Sequence, residues 1–121
     1  MEKSILDTIK AMLGLADTYE AFDNELVSHI NSALFIVGQL GIGPSEGFRI
    51  TDSHEEWSNL LGPVKDLESV KTFVYLKVRE TFDPPMNSFI LTALQNQAQE
   101  LAWRINAQVD NLPLAIANDE E

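Results

Sequence analysis

A chain of 121 residues has room for one ordinary domain and not for two independent cores, since domains usually run to roughly 100 to 200 residues. Hydrophobic residues make up 45% and charged residues 22%, a balance that excludes a disordered chain. Eight Lys plus Arg against nineteen Asp plus Glu give a net charge of -11 without a single cysteine, which argues against ordinary nucleic-acid binding and excludes disulfides, thiolate metal sites and thiol nucleophiles.

The segment from Ser4 to Leu13 carries Ile5, Ile9, Met12 and Leu13 at helical spacing, and Gly14 is placed to stop it. After a polar stretch from Ala16 to Glu20, Asp23 offers an N-cap, with Phe22 and Val27 positioned as a hydrophobic staple. A second helix then carries Leu26, Ile30, Ala33, Leu34 and Val37 on one stripe and stops at Gly41. Phe35 and Ile36 widen that stripe, so the helix is expected to be central and touched on several sides.

Gly41, Gly43, Pro44 and Gly47 break any regular period. The loop they form ends in Phe48, Arg49 and Ile50, whose alternation suggests a short extended return to the core. Ser53 and Glu56 have capping-box spacing ahead of Trp57, Leu60 and Leu61, a short helix closed by Gly62 and Pro63. A third long helix follows Asp66 with Leu67, Val70, Val74 and Val78 on its stripe and Phe73 beside it, until Asp83-Pro84-Pro85 ends it. The last helix opens near Asn87 or Ser88 and places Ile90, Leu94, Ala98, Leu101 and Ile105 on its buried face. Glu100 and Arg104 make an i to i+4 pair on it, adding about 0.3 kcal/mol.

Four main helices plus a short one after a Gly/Pro-rich loop define an all-α fold, a small bundle over residues 1–110. Residues 111–121 read as an acidic, mobile tail. No apolar run reaches the roughly 18 residues that cross a bilayer. The opening segment is amphipathic where a signal peptide would be apolar, so a soluble protein made and used without export is expected.

Chemistry-bearing motifs are scarce. His29 and His54 fall on different elements without a second ligand at metal spacing. Phosphate-loop, dinucleotide, nucleophile-elbow and zinc-protease signatures do not occur. The adjacent carboxylates Glu55 and Glu56 read as solvated charge, His54 beside them as part of a solvated helix start, and the Gly41 to Pro44 segment as a turn. Trp103 lies with Asn96, Gln99 and Ala107, off the buried stripe. So large an aromatic needs cover, either from another segment of the same bundle or from a neighbouring subunit.

The order of segments resembles the helical head-tail connector (adaptor, head completion) proteins of long-tailed bacteriophages and prophages. The resemblance spans roughly residues 3 to 110. It rests on Met12-Leu13-Gly14, Phe22-Asp23-Asn24-Glu25-Leu26, His29-Ile30-Asn31-Ser32-Ala33, Gln39-Leu40-Gly41-Ile42-Gly43-Pro44, Trp57, Val74-Tyr75-Leu76-Lys77-Val78-Arg79, Phe82-Asp83-Pro84-Pro85 and Glu100-Leu101-Ala102-Trp103-Arg104-Ile105-Asn106.

The resemblance implies a virion structural protein that forms a homo-oligomeric ring under the portal of the DNA-filled head, extends the DNA channel and presents a surface to the stopper or tail. It implies no active site, no cofactor and no membrane. DNA would pass the acidic wall without specific binding, and assembly would take place in the host cytoplasm. Trp103 and Arg104, with Phe82, Asp83, Pro84 and Pro85, become interface candidates. The charge suits a competing class equally well: an acidic regulatory or DNA-mimic protein that captures a basic partner.

Overall fold

The computed structural model describes residues 4–44, 47–61 and 67–110. Among the described residues five helices follow one another, α1 (Ile5–Met12), α2 (Asp23–Gln39), α3 (Trp57–Leu61), α4 (Leu67–Phe82) and α5 (Ser88–Asp110). Apart from one isolated antiparallel bridge between Ser4 and Glu56, there is no strand pairing among the described residues. The expected all-α bundle is thus the observed one. The expected tail, residues 111–121, lies outside the described residues.

Helix α4 is the hub, packed against α2 on one side and α5 on the other, while α1 crosses both α2 and α4. The stripe residues explain this arrangement. Leu26, Ile30, Leu34 and Val37 of α2 and Val70, Val74 and Val78 of α4 are all buried in a single core, each apolar side chain contributing about 1.5–3 kcal/mol of transfer free energy. Asp83-Pro84-Pro85 ends α4, and Asn87 restarts the chain as N-cap of α5, its Oδ1 accepting from the Phe89 and Ile90 amides at 2.8 and 3.2 Å. The turn sends α5 back along α4, so that α5 runs in the same sense as α2. At the far end the Asn106 side-chain amide donates to the Leu40 carbonyl.

Several local expectations are corrected. In α1, Met12 is exposed and Leu6 and Lys10 are buried instead, because the docked face is rotated toward Leu6. Asp23 is the first residue of α2 and not its cap; Phe22 holds the cap position without a side-chain hydrogen bond. The Asp23 carboxylate is committed elsewhere, to Lys10 Nζ at 2.8 Å. The Phe22 ring meets Tyr19 and Phe82 edge-on at 5.8 and 5.3 Å. The Ser53/Glu56 capping box does not form. Glu56 itself precedes α3 and its amide is taken by Asn59 Oδ1 at 2.9 Å, the reciprocal half of a box shifted three residues along.

Glu55 does more than carry solvated charge: its carboxylate accepts from the Thr51 amide and hydroxyl and from the Asp52 amide, closing the turn before α3. Phe35 points outward at 68% exposure, and Ile90 is 54% exposed where a buried residue was expected. Ile90 sits in the first turn of α5, at the edge of the surface that α4 covers.

The chain returns to the core at Ile50, which is fully buried, with no strand over residues 48–50. What holds it is Asn31 on α2, whose Oδ1 accepts from the Ile50 amide at 2.7 Å while its Nδ2 donates to the Ile50 carbonyl at 2.9 Å. One side chain thereby satisfies both backbone groups of a buried residue. Asn31→Ala is expected to lower stability by about 2 kcal/mol, because it orphans a donor and an acceptor together; urea unfolding followed by circular dichroism measures it.

Candidate interaction surface

The candidate residues fall into two places. Trp103 is 71% exposed on α5. On a helical wheel it shares the outward face with Phe89, Ala93, Glu100 and Ala107, opposite the buried Leu94, Ala98 and Ile105. Phe89 is 86% exposed on the same face. No described segment of the bundle covers this face. Arg104 stands beside Trp103, with its guanidinium on Glu100 Oε2 at 2.7 Å and both side chains exposed, an ion pair worth little to stability in water.

Phe82 to Pro85 lies at the other end of α5. Phe82 is half-buried and its ring is pinned between Phe22, at 5.3 Å, and His29, at 6.3 Å, so its packing fastens the end of α4 to the start of α2. Arg79 Nε lies 3.4 Å from the Asp83 carbonyl, and Asp83 and Pro84 are exposed. From Ser88 to Trp103 is about 22 Å along the helix at 1.5 Å per residue. The two candidate sets therefore do not form one site.

A third feature was not anticipated in the sequence. Residues Leu34, Phe35 and Gly38 of α2 face Pro44, Phe48 and Arg49 of the loop across an open, mostly apolar groove. The loop takes its shape from Gly43 and Gly47, both at a φ of 95°, a conformation that glycine adopts without strain. At Gly43 an added Cβ would also sit 2.8 Å from a Leu60 methyl.

Neither histidine joins a ligand set; among the described residues no group of three or more His, Cys, Asp or Glu side chains is placed to hold a metal ion. His29 shares its ring nitrogens with Thr81 and Glu25. His54 is exposed and its partner is Asp52, which takes both the His54 amide and the ring Nδ1 at 2.8 Å. That hydrogen bond raises the imidazole above the usual histidine value, and the same contacts lower the Asp52 carboxyl below its own.

The raised histidine favours the folded turn below the free imidazole value, and this contribution is lost as pH rises through the folded one. The lowered carboxyl acts above the free carboxylate value and is lost as pH falls through the folded one. The pair is thus most favourable between the two, in mildly acidic solution. A proton NMR titration is expected to show His54 above the free-histidine midpoint, and Asp52→Asn is expected to bring it back.

The helical bundle leaves the aromatic side chains Phe35, Phe89 and Trp103 on its surface. In a comparison with family models, the one described as "Phage connector protein" matches residues 5–112. The chain belongs to this family of phage head-tail connectors, which are structural proteins of the virion acting with other head and tail components. No curated protein and no solved structure matches the chain. No helix among the described residues is long and apolar enough to cross a membrane.

Proposed function

We infer that this connector works as one subunit of a ring seated between the portal of the DNA-filled head and the stopper or tail, extending the channel through which DNA passes. The observation that carries the reading is the family match across nearly the whole chain, residues 5–112 of 121. Two physical features support it. A domain this small gains burial by oligomerising, and it has exposed Trp103, Phe89 and Phe35 to bury. A net charge of -11 gives a channel wall that repels phosphate, so DNA slides without adhering.

Trp103 and Arg104 are assigned here to contacts between proteins, and the exposed part of the Phe82 to Pro85 turn to a second contact zone at the opposite end of α5. Assembly takes place in the host cytoplasm and the product is part of the virion. Mixing the protein with its cognate portal and imaging the particles by electron microscopy is expected to show several copies in a closed ring. A gel-shift assay at moderate salt is expected to show no retardation of duplex DNA. One copy per portal overturns the ring, and tight non-specific DNA binding overturns the passive acidic channel.

A further inference from the structure

We propose that the groove between α2 and the Phe48–Arg49 segment is the socket for Trp103 of the next copy of this chain, with Arg49 receiving Glu100 from the same neighbouring helix. The inference rests on the ring reading above and names its subunit contact.

Three observations specify the occupant. The first is Gly38. It lies in the last turns of α2 with ordinary helical backbone, and a Cβ added there meets nothing within 4 Å among the described residues. Neither conformation nor internal packing asks for glycine, which in a helix interior costs about 1 kcal/mol relative to alanine. A side chain at 38 would project into the groove, so the glycine keeps the groove open for something from outside.

The second is charge. The cations Lys10, Lys71, Lys77 and Arg104 are paired with carboxylates and Arg79 is hydrogen-bonded. Arg49 is exposed and, among the described residues, has no hydrogen bond or ion pair. A guanidinium without a partner among the described residues, at the rim of an apolar groove, calls for an occupant that is apolar with a carboxylate beside it. Trp103 with Glu100 one turn away is such a pair, and because Arg104 holds only Glu100 Oε2, Oε1 is left for Arg49.

The third is direction. Ile36 lines the cleft between α2 and α5, together with Ala98 and Ala102, whereas Gly38 lines the groove. Residues two apart on a helix point about 200° apart, so groove and α5 occupy opposite flanks of α2. A chain cannot place its own Trp103, on the outward face of α5, in its own groove. Knob and socket on different faces make a heterologous contact, which repeats from copy to copy and closes into a ring when the rotation allows.

The absence of cysteine makes the test direct. Arg49→Cys and Glu100→Cys are introduced singly and together, and the proteins are oxidised on the portal particles used for microscopy. The doubly substituted chain is expected to give a ladder of disulfide-linked multimers, and a mixture of the single variants to give the mixed dimer only. Gly38→Gln, made in the doubly substituted chain, is expected to cut the ladder about tenfold or more, the loss typical of an aromatic hot spot, while raising the melting temperature through better helix propensity.

Rings on the portal without the ladder, or Glu100→Cys linking mainly to itself, overturn this contact and leave the ring reading standing. A ladder that persists undiminished in Gly38→Gln overturns the socket. A single copy per portal overturns both.

Discussion

Asp23→Ala is expected to destabilise the protein by about 3 kcal/mol, far beyond what an acidic residue at a helix start usually contributes. Lys10 is only 1% exposed, and its ammonium donates to the Asp17 carbonyl at 3.0 Å and to Asp23 Oδ1 at 2.8 Å. Those bonds tie the end of α1, the connecting turn and the start of α2 together. Removing the carboxylate leaves a buried charge with one neutral acceptor, and an unpaired buried charge is what makes broken ion pairs costly.

The same argument predicts rescue. Lys10→Met keeps the apolar stem and deletes the charge, so Lys10→Met combined with Asp23→Ala is expected to be more stable than Asp23→Ala alone, by about 2 kcal/mol of coupling. Urea midpoints for the two single variants and the double variant measure it. Additive losses would mean that Lys10 is solvated in the folded protein and that the pair does not fasten the two helices.

The helices were legible because each announces itself twice, by an apolar period and by a stop. The α2 stripe ends at Gly41, and α4 meets Asp83-Pro84-Pro85 where no helix continues. What was not legible depends on partners brought together by folding. The role of Lys10 is one example, since nothing local shows that Asp23, thirteen residues on, will meet its tip. Ser53 and Glu56 had the right spacing for a cap, yet the Asn59 side chain competes for the Glu56 amide and the box shifts. Local spacing lists the possible hydrogen bonds, and tertiary placement chooses among them.

The surface was half legible. Trp103 stood out because it broke the stripe of its own helix, and it is indeed unburied by the described residues. The groove was less legible, because its walls are Phe35 on α2 and Phe48 in a loop whose path depends on the Asn31 clamp. One signal was present in the sequence all the same: Gly38 interrupts a helical run between Val37 and Gln39, and an isolated glycine inside such a run marks a place where side-chain volume is unwelcome.

The two tryptophans are expected to part company completely under substitution. Trp57 has no exposed surface, and its indole nitrogen donates to Thr8 Oγ1 at 3.0 Å. The Thr8 hydroxyl is itself bonded to the Ser4 carbonyl at 2.7 Å. The ring thus joins α1 to the start of α3, next to the bridge between Ser4 and Glu56. Trp57→Ala is expected to lower stability by about 3–5 kcal/mol, the range for emptying a buried aromatic site, which is a large share of the 5–15 kcal/mol of a typical domain. Trp57→Phe retains most of the volume and loses the hydrogen bond, so an intermediate loss is expected.

Trp103→Ala empties nothing among the described residues and is expected to move the urea midpoint by less than about 0.5 kcal/mol, while ring assembly on the portal falls about tenfold or more. Denaturation and portal assembly measured on the same three variants separate the roles. A loss of stability at Trp103 comparable with that at Trp57 would make it a packing residue of the monomer and remove it from the interface.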